Sequence, residues 1–521
     1  MYVQELEPVG GSLGLSALVA ALPLVIVLVL LGAVRMKAHL AGLTGLLSAV
    51  LVAWLAYGMP LDQTLSSAAQ GAVFGLFPIL WIVVNALWVY RMTVRTRHFD
   101  ILRRSFGRLS DDPRIQALVV AFCFGALLEA LAGFGAPVAI CSVMLVALGF
   151  DPVRAAVVAL VANTAPVAFG AMGTPVVTLA QVTGLPLDDV ASVVGRQTPL
   201  LALVVPLLLV ALVDGRRGLR ETWVPALVCG VAFAVAQFAA SNYVSAQLAD
   251  IGAALVGAGA LVAVPHARVP ATEAVRASVL TGTRSEELDE DDPRAEVVRA
   301  YAPYALIVVI FSVAQIPPVK DWLARATQSY DWPFLDVAGP GGTLVLLAGV
   351  CTATVLGVHA RVAVKEWLAT VHELRYAILT VTSVLALAYV MNLSGQAATI
   401  GHFVAAAGAG LAFLSPVLGW FGVAVSGSDT SANALFGALQ VTAARQSGLS
   451  PDLLAAANSS GGVLGKMISP QNLTIACAAV GLAGREGDLL RKVLPWSLGL
   501  LLVMCLIVVG QSSPVLGWML P

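Results

Sequence analysis

Charge is what this sequence has least of. Lys, Arg, Asp and Glu make up 11% of its 521 residues, against about 25% in a typical soluble domain. A soluble surface of this size needs charge to cover it, which excludes an ordinary soluble enzyme. The same composition excludes a nucleic-acid binder, and a net charge of −1 says nothing about partners. Lysine is scarcer still, with five residues: Lys37, Lys320, Lys365, Lys466 and Lys492. The six cysteines lie singly along apolar segments, without a CxxC or a Cys/His cluster. That spacing offers neither a disulfide framework nor a metal site. There is no HExxH, no phosphate-binding loop, no dinucleotide fingerprint and no Ser/His/Asp spacing. GSDTS at 427–431 lacks the glycine that a nucleophile elbow requires after its serine. A membrane-embedded enzyme has no motif to rest on, and no cofactor is expected.

Apolar sequence is what remains. Hydrophobic residues make up 59% of the chain and mean hydropathy is +0.89. Runs long enough to cross a bilayer as helices recur from 13–34 to 493–511. The reading is an all-α polytopic membrane protein, surrounded by lipid, with about 12–14 transmembrane helices. The first run lacks the basic flank of a secretory signal and is read as a retained helix. Basic residues set the orientation. Seven arginines crowd 91–114, and others follow 213, whereas 58–65 and 241–250 carry none. This puts the N-terminus outside and the 91–114 loop in the cytoplasm.

Residues 266–300 hold eight acidic and five basic residues and are too polar to fold alone. They are expected to be a solvated cytoplasmic linker between a first transmembrane half, 1–265, and a second, 301–521.

The halves share a pattern. Asn163-Thr164 leads to Gly170, Met172 and Thr174-Pro175; Asn458-Ser459 leads, at the same spacing, to Gly465, Met467 and Ser469-Pro470. Each motif follows a Gly-x-x-Pro turn (149–152, 448–451) and precedes a basic residue and a proline. Before each turn lies another small-residue break, Gly133-Phe-Gly135-Ala-Pro137 or Gly427-Ser428-Asp429-Thr430-Ser431. Two repeat units, 116–199 and 416–495, follow from this, each with broken helices or re-entrant hairpins. Broken backbone inside a bilayer survives only where protein buries it or it lines a cavity. Paired broken segments in two halves point to a secondary-transporter site. Half-helix starts offer N–H groups to an anion. A passive channel would not need such a repeat.

Ionisable groups inside apolar sequence are functional candidates by default, and three stand out. Glu129 lies in FCFGALLEALAGFGAPVAI, one turn before Gly133. A carboxyl in dry surroundings holds its proton more readily, so Glu129 is the expected proton carrier. Asp429 has hydroxyl neighbours and is the second proton-coupling candidate, expected to pair with Lys466 or to sit near a cation. Lys466 falls inside the second motif, where the first has Ala171. The expected carboxylate site gathers Gly133, Gly135, Asn163, Thr164, Ser428, Asp429, Thr430, Ser431, Asn458, Ser459, Ser460, Lys466, Ser469 and Gln471. Arg196 would add positive charge if it reached inward.

Several long strings resemble the L-lactate permease family of bacterial proton-coupled transporters. They are FCFGALLEALAGFGAPVAI (122–140), VANTAPVAFGAMGTPV (161–176), MNLSGQAATIG (391–401), SPVLGWFGVAVSGSDTSANALFGALQ (415–440) and AANSSGGVLGKMISPQNLTIACAAVGLAGREGDLLR (456–491). The resemblance implies proton symport of L-lactate, and of glycolate or related 2-hydroxymonocarboxylates, across the inner membrane. Ala130 stands where the family pattern has Gly. A sodium-coupled or dicarboxylate transporter of the same architecture is the alternative. Preferred enantiomer and oligomeric state are not written in these residues.

Overall fold

The computed structural model describes residues 2–133, 135–264, 273, 275, 279–281, 292–314, 316–319, 322–323 and 342–520. The described chain is helical. In the first half these are α1 (Leu13–Gly32), α2 (Ala38–Leu55), α3 (Leu61–Arg95), α4 (His98–Gly107), α5 (Pro113–Ala132), α6 (Ala136–Ala147), α7 (Pro152–Ala162), α8 (Gly170–Thr183), α9 (Leu187–Tyr243) and α10 (Ala246–Ala263). The second half has α11 (Arg294–Ala314), α12 (Gly342–Val355), α13 (Ala360–Ser394), α14 (Gln396–Val404), α15 (Leu411–Ser426), α16 (Asp429–Ser447), α17 (Pro451–Gly465), α18 (Pro470–Ala479) and α19 (Glu486–Gln511).

Ten described stretches are long and apolar enough to span a membrane, and the pair α7–α8, bent by 65°, makes an eleventh. The 57 residues of α9 would reach about 85 Å at 1.5 Å per residue, far more than one bilayer. The helix breaks at Asp214–Gly215, where Gly215 turns left-handed (φ 58°). Its two arms, 187–213 and 216–243, raise the number of spans to twelve, within the expected 12–14. The span Gln396–Ser426 is not one plain helix: it comprises α14, a 3-10 segment kinked at Gly408 and α15.

The two broken regions are built alike. In the first, α5 stops at Gly133 (φ 34°), α6 starts after Gly135 (φ 87°), and α6 turns into α7 through Gly149 (φ 95°). In the second, α15 stops at Gly427 (φ 76°), and α16 turns into α17 through Gly448 (φ 74°). The turns use the same cap. Asp151 accepts a hydrogen bond from the Arg154 N–H and Ser450 from the Leu453 N–H, with Pro152 and Pro451 in the first helical turn. A side-chain oxygen at the N-cap satisfies an orphan donor, and proline is tolerated where no N–H is needed. Past the second breaks, Thr174 Oγ1 donates to the Ala171 carbonyl and Ser469 Oγ to the Lys466 carbonyl, the same bond at equivalent positions.

The units enter from opposite faces. The 149–151 turn lies beside the end of the first α9 arm, where Arg154 donates to the Val213 carbonyl. On the other face, Asn392 donates to the Val182 carbonyl and Gln4 to the Asn392 carbonyl. The middle of α16 packs there, with Gly437 against Leu179, Val182 and Thr183. Inverted repeats of this kind place their breaks together near mid-membrane. The last helix of each unit packs on the other: α8 on α16, and α18 on α6.

Close helix approach fixes the second unit. A Cβ on Gly461 would run into the Pro416 carbonyl, on Gly465 into the Trp420 carbonyl, and on Gly419 into the Asn458 carbonyl. Small residues let membrane helices meet backbone to backbone.

Much of the expected 266–300 linker lies outside the described residues, as do 324–341 and Phe134. Residues 294–300, assigned to the linker by their charge, form the first two turns of α11. Beside them Arg104 grips Asp292 through Nε (2.8 Å) and Nη2 (2.5 Å) and holds its carboxyl below the usual carboxylate range.

Substituting Gly465→Val should lower stability by about 1–3 kcal/mol, because overpacking must push α15 off α17. Gly499→Val, where a Cβ meets nothing within 4 Å, should change little. Thermal unfolding of both variants in detergent checks this.

Candidate functional site

The breaks converge on one cavity. About 450 Å³ including its open mouth, it is lined by Glu129, Gly133, Val167, Gly170, Ala171, Pro175, Gly427, Ser428, Asp429, Thr430, Lys466 and Gln471. The starts of α8 and α16 both contribute, so helix N-termini from the two units face it. At the start of α8 the backbone is strained: Ala171 (φ 44°) and Met172 (φ 58°) are left-handed without being glycine. Such conformations cost energy and persist where surrounding structure enforces them, often at functional sites.

Glu129, 2% exposed, receives Lys466 Nζ on Oε1 at 2.5 Å and Asn163 Nδ2 on Oε2 at 2.9 Å. Both oxygens are thus occupied. Lys466 comes from the second unit and Glu129 from the first, so the ion pair ties the units together. Gly170 makes room for it: a Cβ there would lie 2.8 Å from Glu129 Oε1.

Of the two alternatives for Asp429, the pairing with Lys466 is not formed, because Lys466 is engaged by Glu129. Its Oδ2 accepts from Ser459 Oγ at 2.6 Å and from Asn433 Nδ2 at 3.4 Å. Its Oδ1 has no hydrogen-bond partner among the described residues and lies over Gly462. Asn433 also donates to the Pro175 carbonyl at 3.1 Å, which carries the network into the first unit. Asn458 donates to Asn433 Oδ1 at 2.8 Å and accepts from Gln440 at 3.3 Å.

Of the residues expected to bind substrate, Gly133, Ser428, Asp429, Thr430, Lys466 and Gln471 line the cavity. The others are placed behind it. Asn163 and Ser459 hold the two carboxyls. Thr164 donates to the Val161 carbonyl and Ser469 caps α18. Ser431 closes the first turn of α16 on Ser428. Asn458 belongs to the Asn433 network, and Ser460 is buried with its hydroxyl unpartnered among the described residues. Gly135 packs under Ile475 and Asn472. Arg196 does not reach the cavity; it donates to Asn242 and to the Met519 carbonyl.

Two residues escaped the sequence reading. Asn433 lies one turn after Asp429 in α16, and the i, i+4 spacing was the available signal. Asp250 is fully buried near the start of α10. Its place at the edge of an apolar run made it look like a loop residue.

Comparison with known proteins adds a separate line of information. The sequence pattern of the family described as L-lactate permease matches residues 16–338 and 325–513. The L-lactate permease of Bacillus subtilis is 42% identical over 562 residues, covering 100% of both chains. The glycolate permease GlcA of Escherichia coli is 40% identical over 537 residues, covering 95% of each. The L-lactate permease of Salmonella typhimurium is 39% identical over 555 residues, covering 100% of both.

Removing one partner of a buried ion pair strands the other. Lys466→Met should therefore destabilise the protein by about 3–5 kcal/mol, and adding Glu129→Gln should restore much of that loss. Thermal unfolding of the single and double variants is the measurement.

Proposed function

Starting from a chain that belongs to the L-lactate permease family, we propose that it takes up L-lactate, and glycolate or related 2-hydroxymonocarboxylates, by proton symport across the bacterial inner membrane. The observation that carries this reading is the Glu129–Lys466 pair at 2.5 Å on the wall of a cavity formed by both repeat units.

A carboxylate substrate and the Glu129 carboxylate compete for the same ammonium group. With both carboxyls ionised, Glu129, Asp429 and Lys466 carry a formal charge of −1, and a bound substrate would make it −2. One proton returns the loaded site to the charge of the empty one. Protonating Glu129 removes its hold on Lys466 and frees the ammonium for the substrate. Proton and substrate then favour each other's binding, and linkage makes that coupling reciprocal. N–H groups at the start of α16 and the Thr430 hydroxyl would hold the rest of a small hydroxy acid. The two inverted units supply the element that alternates between faces.

The dicarboxylate alternative would set two substrate charges against Lys466, the cation that lines the described cavity. Sodium coupling remains a matter for the same assay, run with and without sodium.

In proteoliposomes with an imposed inward proton gradient, wild-type protein should accumulate labelled L-lactate, collapse with a protonophore and ignore sodium. Glu129→Gln should lose gradient-driven accumulation while still exchanging internal for external L-lactate. Undiminished accumulation by that variant would remove Glu129 from the coupling.

A further inference from the structure

The cavity has a buried carboxyl behind it that the mechanism above does not use. Asp250 has no exposed surface. It stands near the start of α10, just inside the turn that the distribution of basic loops puts at the outer face. Its Oδ1 accepts from Gln237 Nε2 at 2.9 Å, while its Oδ2 has no partner among the described residues. The second donor contact of Gln237 is the Ala165 carbonyl at 3.3 Å, and its Oε1 accepts from Thr198 at 3.4 Å. Gln237 therefore clamps Asp250 to the 163–166 break, the segment whose Asn163 holds Glu129. An ionised carboxylate buried with an unpaired oxygen is costly, and a proton on Oδ2 removes that cost.

The elements packed against α10 carry few charges that matter to this group. Those on α9 are Asp188 and Asp189 in its first turn, Arg196, which is bound to Asn242, and the 214–221 cluster at its break. Those on α11 are Arg294, Glu296 and Arg299 in its first two turns. On α5, Arg114 is bound by Asp112, Asp214 and Glu221 at the far end, and Glu129 is held by Asn163 of the 163–166 break and by Lys466.

We propose that Asp250 is a second proton-binding carboxyl of the transport cycle, linked through charge to Glu129. A proton from water at the outer face adds to Oδ2 and returns to that water when Glu129 takes its own proton; the O–H bond on Oδ2 is the one bond formed and broken there. Interacting carboxyls titrate as a pair, so an ionised Asp250 favours the proton on Glu129. This rests on the proton-symport reading.

The test is the initial rate of L-lactate uptake into proteoliposomes as a function of outer pH, with lactate exchange at symmetric pH as the control for folding. Asp250→Asn removes the charge, and Gln237→Met removes the donor that supports it. Either change should make uptake demand more protons, moving the midpoint acidward by about one pH unit while exchange persists. Asp250→Glu should keep the wild-type midpoint. Wild-type midpoints in both Asp250→Asn and Gln237→Met, with exchange intact, would overturn the proposal and leave proton symport standing. A wild-type rate indifferent to outer pH would overturn both together.

Discussion

The ion pair between Glu129 and Lys466 joins the two repeat units where their broken helices meet, and much of the surrounding structure serves to make it possible. A lysine in mid-membrane is costly unless a counter-charge is held beside it. Here the counter-charge comes from the other unit. Asn163 fixes the second carboxyl oxygen, Gly170 leaves the space the side chain needs, and Asn472 accepts no part of the charge but anchors the Lys466 carbonyl through its amide at 3.0 Å. Because both carboxyl oxygens are engaged, anything that takes Lys466 away must give Glu129 something in return. A proton does so at the least structural cost.

The same logic explains the breaks. An unbroken helix buries its N–H groups, whereas an interrupted one presents them. Residues at the start of α16 and at the strained start of α8 line the cavity. Tight α15–α17 packing through Gly419, Gly461 and Gly465 keeps the second unit rigid. In the proposed transport cycle, inverted units would let one cavity face either side of the membrane in turn.

The sequence carried a good part of this. Gly-x-x-Pro turns, paired small-residue breaks and three ionisable groups inside apolar runs are local features, and their meaning does not depend on tertiary contacts. Pairing is different. Lys466 is 37 positions from Asp429 and 337 from Glu129, and chain distance favours the wrong partner. Only the inverted packing of α8 on α16 and of α18 on α6 decides that Lys466 meets Glu129. For the same reason Asn163, Asn458 and Ser459 read as substrate ligands. Their side chains are spent on holding other polar groups, which no spacing rule reveals. Asp250 was hidden by position, since a carboxyl at the edge of an apolar run looks solvated until the turn beside it folds inward.

In the proposed cycle, substrate carboxylate and Glu129 exchange places on Lys466, with a proton settling the difference. Proton uptake on adding L-lactate to weakly buffered, detergent-solubilised protein measures this directly, read by a pH indicator against a Lys466→Met control. Net proton uptake should saturate together with lactate binding and vanish in the control. Lactate binding with no change in bound protons would contradict it.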